Sequence, residues 1–284
     1  VTELGRASAR ISVPVPDRDD VSVTLAWGAA TDVGLRRRHN EDSYLAESPV
    51  FVVADGMGGH AAGDIASAAV VTRLQESLRD AFADQRSIAD GLRAATADIT
   101  LAEDLDELGV GTTVTGIALT LQNGDPYWAV FNIGDSRVYQ FEDGTLTQVT
   151  IDHSVVQELV DAGLIRAEDA EFHPDSNVIT RAVGFNAEPI ADFWMLPART
   201  GLRLLICSDG LTREVDSGSL RHYLGLGSSP QDTASALIAA ALRGGGRDNI
   251  TAVVVDVIEG VDHEASDSHD ELDTTVPRGR AASG

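Results

Sequence analysis

Cysteine is nearly absent. Cys207 stands alone in 284 residues, so no disulfide can form within the chain and pairing says nothing about redox compartment. No cluster of Cys and His has the spacing of a structural zinc site. No apolar run approaches the roughly 18 residues that would suggest a membrane span. The first residues lack a basic stretch followed by an apolar one, so no signal peptide is expected and a cytoplasmic protein is the default. Basic residues are also scarce. Lys and Arg total 21 against 45 Asp and Glu, for a formal net charge of −24 and a pI near 4.4. Such a surface repels nucleic acid and anionic lipid, so neither is expected as a partner.

What is present is an apolar fraction of 43%, enough for a sizeable core. Residues 1–22 read as a flexible arm, with Pro14, Pro16 and the charged turn Asp17–Asp20. Residues 259–284 read as an acidic disordered tail, with too few apolar side chains to offset the entropy of ordering. Between them, residues 23–258 form one continuous domain without linker or repeat. Its elements come in blocks. Strands are expected at Val21–Ala30 and Val50–Ala54, then helices at Ile65–Phe82, with Ile65, Ala69, Leu74 and Leu78 near one stripe, and at Ser87–Glu103, with Ser87 as N-cap. Strands at Thr113–Leu121, Tyr127–Ile133, Arg137–Phe141 and Leu146–Thr150 follow, joined by the turn signals Asn123-Gly124 and Asp143-Gly144. A helix at Ser154–Ala162, a strand at Arg203–Ser208, a helix at Pro230–Leu242 and a strand at Ile250–Val257 complete the series. The blocks indicate an α+β class, with antiparallel sheets covered by helices.

Four strands carry an aspartate at one end: Asp55 after Phe51–Ala54, Asp135 after Trp128–Gly134, Asp209 after Leu204–Ser208, and Asp248 before Ile250–Val257. Asp-Gly pairs such as Asp55-Gly56 and Asp209-Gly210 are common turn formers, which is one reading. The other is charge. A carboxylate flush with an apolar strand is partly desolvated, at a cost unless it is paired or holds a cation. Neither Asp55 nor Asp209 adjoins Lys or Arg in sequence, and magnesium and manganese favour oxygen ligands. Gly56 would let the backbone approach an ion and offer its carbonyl.

The segments Arg37–Ser43, Val53–His60, Gly111–Thr113, Gly134–Arg137, Cys207–Leu211 and Asp248–Thr251 occur in this order. Together they resemble the metal-dependent protein phosphatases of PPM type, also called protein phosphatase 2C, over about residues 24–257, and most closely the bacterial serine/threonine phosphatases. The resemblance implies a four-layer α-β-β-α sandwich, two central antiparallel sheets flanked by helix pairs. It implies hydrolysis of phosphoserine and phosphothreonine by a metal-activated water at a binuclear manganese or magnesium centre. Asp55 would bridge two ions, with the Gly56 carbonyl and, through water, Glu41 on one of them. Asp209 and Asp248 would complete the other, and Asp135 would share Asp209 with a third, weaker ion. Arg37 stands where the family places a phosphate-binding arginine. Phosphorylated proteins and a cognate serine/threonine kinase are the implied partners in signal transduction, and a monomer is the default state.

One position departs from some relatives, which carry His directly after Asp-Gly where this chain has Met57. The proton donor is therefore unassigned, with His60 and a metal-bound water as the alternatives. Residues 150–182 fall where the family carries a flap, which makes Asp152, His153, His173 and Asn177 candidates for substrate contact or plain loop residues. No Cys is followed five residues later by Arg, as cysteine phosphatases require. A non-catalytic module and a small phosphate-ester hydrolase are the competing classes. The Gly56–Ala61 run imitates a dinucleotide fingerprint, and Thr274 and Thr275 are conceivable phosphorylation sites in a tail that reads more simply as solvated.

Overall fold

Both faces of the central strands are apolar, and this decides the architecture. In Val50–Met57, Phe51 and Val53 pack into one buried cluster while Val50, Val52 and Ala54 pack into another. A strand buried on both faces needs a layer on each side. The computed structural model supplies those layers; it describes residues 1–18, 20–58, 62–78, 80–103, 109–185 and 188–260.

In chain order the elements are β1 (Glu3–Gly5), β2 (Ser8–Pro14), β3 (Ser22–Asp32), β4 (Asp42–Glu47), β5 (Val50–Met57), α1 (Ala62–Ser77), α2 (Gln85–Glu103), β6 (Gly111–Thr112), β7 (Val114–Gln122), β8 (Asp125–Ile133), β9 (Arg137–Glu142), β10 (Thr145–Gln148), α3 (Val155–Asp161), β11 (Asp192–Pro197), β12 (Arg203–Cys207), α4 (Asp209–Thr212), α5 (Ser217–Leu224), α6 (Pro230–Gly244) and β13 (Ile250–Glu259), with a 3₁₀ turn at Ala167–Phe172. One sheet runs β1-β4-β5-β7-β8-β11, with β6 on β5, and the other runs β10-β9-β12-β13-β3-β2. All pairings are antiparallel except β1 with β4. The antiparallel neighbours of β5 exclude the βαβ unit that a dinucleotide fingerprint requires.

Three apolar clusters fill the layers. Between the sheets, Phe51, Ile117, Trp128 and Val130 meet Leu25, Trp27, Leu204 and Val255. Phe51 lies edge-on to Trp27 at 5.3 Å and to Trp128 at 6.0 Å, so one aromatic chain links the sheets. Outside the first sheet, Val70 and Leu74 of α1 and Leu92 and Ile99 of α2 cover Val52 and Ala118. Outside the second, Leu220 of α5 and Leu237 of α6 cover Leu205 and Val254. The result is the expected α-β-β-α order.

The boundaries follow side-chain chemistry. Asn123-Gly124 and Asp143-Gly144 have positive φ at both residues, which matches the right-handed strand twist in a two-residue hairpin. Ser154 caps α3 by accepting from the Gln157 N–H. Helix α2 starts before Ser87, whose N–H donates to Asp84 Oδ1 at 2.7 Å, so the aspartate has the capping role. The buried stripe of α1 is Ala66, Val70 and Leu74, while Ile65 is exposed. Small residues at the start of α1 permit close approach to β5, since a Cβ on Gly63 would sit 2.8 Å from the Gly56 carbonyl carbon.

The proposed flexible arm is a correction. Residues 3–5 and 8–14 form β1 and β2, with Ile11–Pro14 of β2 paired to Ser22–Leu25 of β3. As an edge strand, β2 buries only Val13, so its periodicity is weak and backbone pairing holds it. At the other end β13 continues through Glu259, while residues 261–284, including Thr274 and Thr275, lie outside the described residues.

Phe51→Ala should cost about 3–5 kcal/mol, because it empties the contact between the sheets. Urea denaturation of both proteins measures this; a loss below about 1 kcal/mol would mean that the sheets close over the gap.

Candidate active site

Strand ends from both sheets deliver the site. Asp42 opens β4 and lies directly opposite Asp55 of β5 in the ladder. Asp135 follows β8, after Gly134 turns the chain at φ 114°. Asp209 follows β12, and Asp248 precedes β13, the antiparallel neighbour of β12. Gly210 must be glycine here, since a Cβ would lie 1.9 Å from the Asn249 carbonyl oxygen. Gly56 is equally crowded, 2.0 Å from the Gly63 carbonyl oxygen.

Polar side chains hold these ends in register. Ser208 and Thr251 donate to Asp42 Oδ2 at 2.8 and 2.6 Å, joining the two sheets beneath the site. Asn249 accepts from the Glu41 N–H at 2.9 Å and donates to the carbonyls of Val33 and His39, both at 3.0 Å. It thus anchors the loop that carries Arg37 and Glu41. Thr113 Oγ1 accepts from the Asp55 N–H at 3.1 Å and bonds to Ser136 Oγ at 2.8 Å, tying β5 to the loop of Asp135.

The carboxylates feel one another. Burial raises Asp55 well above the ordinary range, reinforced by the charges of Asp42, Asp209, Asp135 and Asp248. Burial pushes Asp42 up to about 7 against the pull of its hydroxyl donors. It pushes Asp135 to about 7 as well, with Asp209 adding repulsion and Arg213 opposing it. Asp209 is raised by burial, with Arg213 again opposing. Two arginines supply positive charge. Arg37 Nε and Nη2 donate to the two oxygens of Asp248 at 2.8 and 2.9 Å, and Arg213 pairs with Asp209.

Among the described residues, no three acidic, His or Cys side chains form a ready-made cage for an ion. The donor set nonetheless suits a hard cation. Asp209 Oδ1 and Asp42 Oδ1 are buried without a hydrogen-bond partner, and an orphaned carboxylate oxygen in such a place is costly unless a cation meets it. Small rotations of the carboxylate side chains would bring the donors together, at little cost beside that of burying them unpaired.

Sequence reasoning placed Arg37, Asp55, Asp135, Asp209 and Asp248 here, and the structure brings them together. Glu41 and Gly56 lie alongside, with the Gly56 N–H donating to the Glu41 carbonyl at 3.2 Å. Two charged residues went unrecognised as parts of the site, Asp42 and Arg213. Asp42 sits next to Glu41 in a quoted segment, yet only strand register sets it opposite Asp55.

The flap candidates divide. Asp152 accepts a fork from Arg137 at 2.7–3.0 Å, and buried His153 bonds to the Gly134 N–H and to Asp192 at 3.1 and 3.0 Å. His153 is therefore a structural brace. Asp152 also lines, with Asn177 and the neighbouring Phe172, a cleft of about 850 Å³ that reaches Asp135, Asp209, Arg213 and Asp248, and it braces Arg137 at the edge of that cleft. Cys207 is buried and pushed up to about 12, mainly by desolvation, so it is no nucleophile. His60 lies outside the described residues.

The family model described as protein phosphatase 2C matches residues 36–243, well over half the chain. The chain belongs to the protein phosphatase 2C family. Its sequence is 41% identical over 246 residues to the serine/threonine protein phosphatase PstP of Mycobacterium tuberculosis, covering 84% of this chain and 46% of that protein. It thus spans about half the length of that relative. It is 35% identical over 239 residues to the serine/threonine phosphatase stp of Listeria welshimeri, covering 80% of this chain and 93% of the relative. A solved catalytic domain of PstP, in complex with two manganese ions, superposes with a TM-score of 0.74 at 38% identity, covering 84% of this chain and 99% of that one. The fold is therefore shared with that bacterial phosphatase domain.

The raised carboxyls have a consequence for stability. The native state keeps protons that the unfolded chain releases near pH 4, so this contribution is full below about pH 4 and is lost as pH rises through about 7. Metal-free protein should lose stability between pH 5 and 8, with Asp42→Asn flattening the slope and manganese opposing the loss. Denaturant midpoints in EDTA would show it; a midpoint that climbs across this window contradicts the assignment.

Proposed function

We propose that this chain is a metal-dependent serine/threonine protein phosphatase that hydrolyses phosphoserine and phosphothreonine in proteins with a binuclear manganese or magnesium centre. The observation that carries the proposal is the convergence of Asp55, Asp135, Asp209 and Asp248 on one buried site, with an oxygen of Asp209 left without a partner. Membership of the family and the names of its relatives supply the reaction class.

The residues divide the work by position. Asp55 would be shared between two ions, with Gly56 and Glu41 serving one, and Asp209 and Asp248 the other. When bound, such ions supply Lewis acidity, which lowers the pKa of water and neutralises charge on a phosphoryl group. Arg37 presents a planar fork at the rim, half-exposed, and its donors are suited to two phosphate oxygens. Asn249 and the Thr113–Ser136 pair keep the acidic loops in place, so that little reorganisation is needed during the reaction. Burial of Cys207 argues against a cysteinyl phosphoenzyme and is consistent with direct attack by water.

The cleft beside the carboxylates is open to a peptide-sized substrate, with Phe172 and Asn177 on its flap side. Proteins phosphorylated by a serine/threonine kinase are the substrate class that follows. A cognate kinase, signal transduction, a cytoplasmic setting and a monomeric state extend the proposal from the sequence expectations. No helix among the described residues is long and apolar enough to cross a membrane.

Purified protein with manganese should hydrolyse p-nitrophenyl phosphate and phosphothreonine peptides, and EDTA should abolish both activities. Asp55→Ala and Asp209→Ala should each reduce kcat by at least about 10³, and Arg37→Ala should reduce it about 10²-fold. Metal-loaded wild type that turns over neither substrate would rule the proposal out, and turnover of metabolite phosphates alone would shift it to small esters.

A further inference from the structure

Two loops beside the site carry arginines that the proposed chemistry does not use. The loop between β3 and β4 is held by Asn249, which donates to the carbonyls of Val33 and His39, both at 3.0 Å. The loop of residues 245–248 lies against it. The Leu35 N–H donates to the Gly246 carbonyl at 2.6 Å, and a Cβ on Gly34 would sit 2.1 Å from the Asp248 carbonyl oxygen, so the two backbones touch. The first loop carries Arg36 and Arg38 on either side of Arg37 in sequence, and the second carries Arg247.

These arginines are unusual in what they meet. Arg36 and Arg38 are exposed, and among the described residues their side chains have no ion pair or hydrogen bond. Arg247 is 70% exposed and is held from behind. Its Nε and Nη2 donate to Glu214, whose side chain is 2% exposed, at 2.8 and 3.3 Å, and Nη2 also reaches the Arg213 carbonyl at 3.3 Å. None of these contacts uses a carboxylate assigned to the metal centre, so they do not depend on its occupancy. Free guanidinium groups are out of keeping with a chain that has 45 acidic residues against 21 basic ones. Other arginines, such as Arg10, Arg73, Arg137, Arg166 and Arg203, are each paired with a carboxylate.

Arg247 lines the cleft beside the carboxylates, while Glu168 and Glu171 of the 3₁₀ turn line the same cleft from the flap. The cleft therefore runs from an acidic wall to a basic rim. Leu35, next to Arg36, is 64% exposed. A peptide laid along the rim covers this side chain with a gain from apolar burial, which a small anion does not provide.

We propose that Arg36, Arg38 and Arg247 form a docking rim that selects phosphoproteins with acidic side chains on one flank of the phosphorylated residue. Arg37 then meets the reacting phosphate while its neighbours read the charge beside it. Exposed ion pairs are individually weak, so the three act together and chiefly on affinity. The proposal rests on the phosphatase reading above, which hydrolysis of an uncharged-flank phosphopeptide tests separately.

Three phosphothreonine peptides decide it: one with alanine flanks, one with three aspartates before the phosphothreonine, and one with three after it. At about 0.15 M salt, charges beyond about 8 Å are screened, so the net field contributes little. One aspartate peptide should show kcat/KM about tenfold above the alanine peptide, mainly through KM, and the other should not exceed it. Arg36→Gln with Arg38→Gln should cut this preference to about threefold or less, and adding Arg247→Gln should remove it. Lysine at the same three positions should retain most of it. No gain for either aspartate peptide on the wild type, equal gains for both, or a preference that survives the triple glutamine variant would overturn the proposal. Arg247→Gln leaves Glu214 without its partner; should circular dichroism show that the triple variant does not fold, an undiminished preference in the double variant overturns the proposal. A manganese-loaded wild type that hydrolyses none of the peptides overturns the phosphatase reading, and the docking rim with it.

Discussion

Gathering carboxylates at the buried edge of a sandwich is the constraint on which the rest of this molecule depends. Each of Asp42, Asp55, Asp135 and Asp209 is held up in pKa first by burial and then by its neighbours. Such a cluster persists only if the fold around it is stable enough to hold like charges together, and only if positive charge is brought to it. The inter-sheet aromatics and the two helix layers meet the first requirement. Arg37 and Arg213 meet part of the second, and the orphaned oxygen of Asp209 marks what they leave unmet.

The scaffold achieves this by crossing sheets rather than by loop packing alone. Asp42 belongs to the first sheet, yet its donors Ser208 and Thr251 belong to the second. A displacement of one sheet against the other would break both bonds and expose a buried acid. Packing at the centre and electrostatics at the edge are therefore coupled. The global charge of −24 adds to the same demand, since an anionic substrate must be drawn in by local positive charge against the overall field. The chain contains no lysine, so every fixed side-chain cation that does not titrate is a guanidinium.

Much of the fold was legible because it depends on short-range signals. The hairpin turns at Asn123-Gly124 and Asp143-Gly144 announce themselves through the residues that tolerate positive φ. Strands β7, β8, β12 and β13 are apolar on both faces and read as continuous runs. By contrast β2 reads as a flexible arm in sequence, because an edge strand with one buried side chain has little periodicity. Strand β4 is hidden by its polar start, Asp42-Ser43, since the partners that permit burial of Asp42 lie more than a hundred residues away.

The sequence by itself determined the class of chemistry: apolar strands ending in aspartate, a lone buried cysteine, and ordered motifs that name a family. These are local properties, carried by residue type and spacing. Only the tertiary structure decided which charges face one another. The pairing of Asp42 with Asp55 follows from strand register, and the placement of Arg213 among Asp135, Asp209 and Asp248 follows from two sheets meeting at one edge. Electrostatic energy depends on distance in space and on burial, and neither is set by separation along the chain.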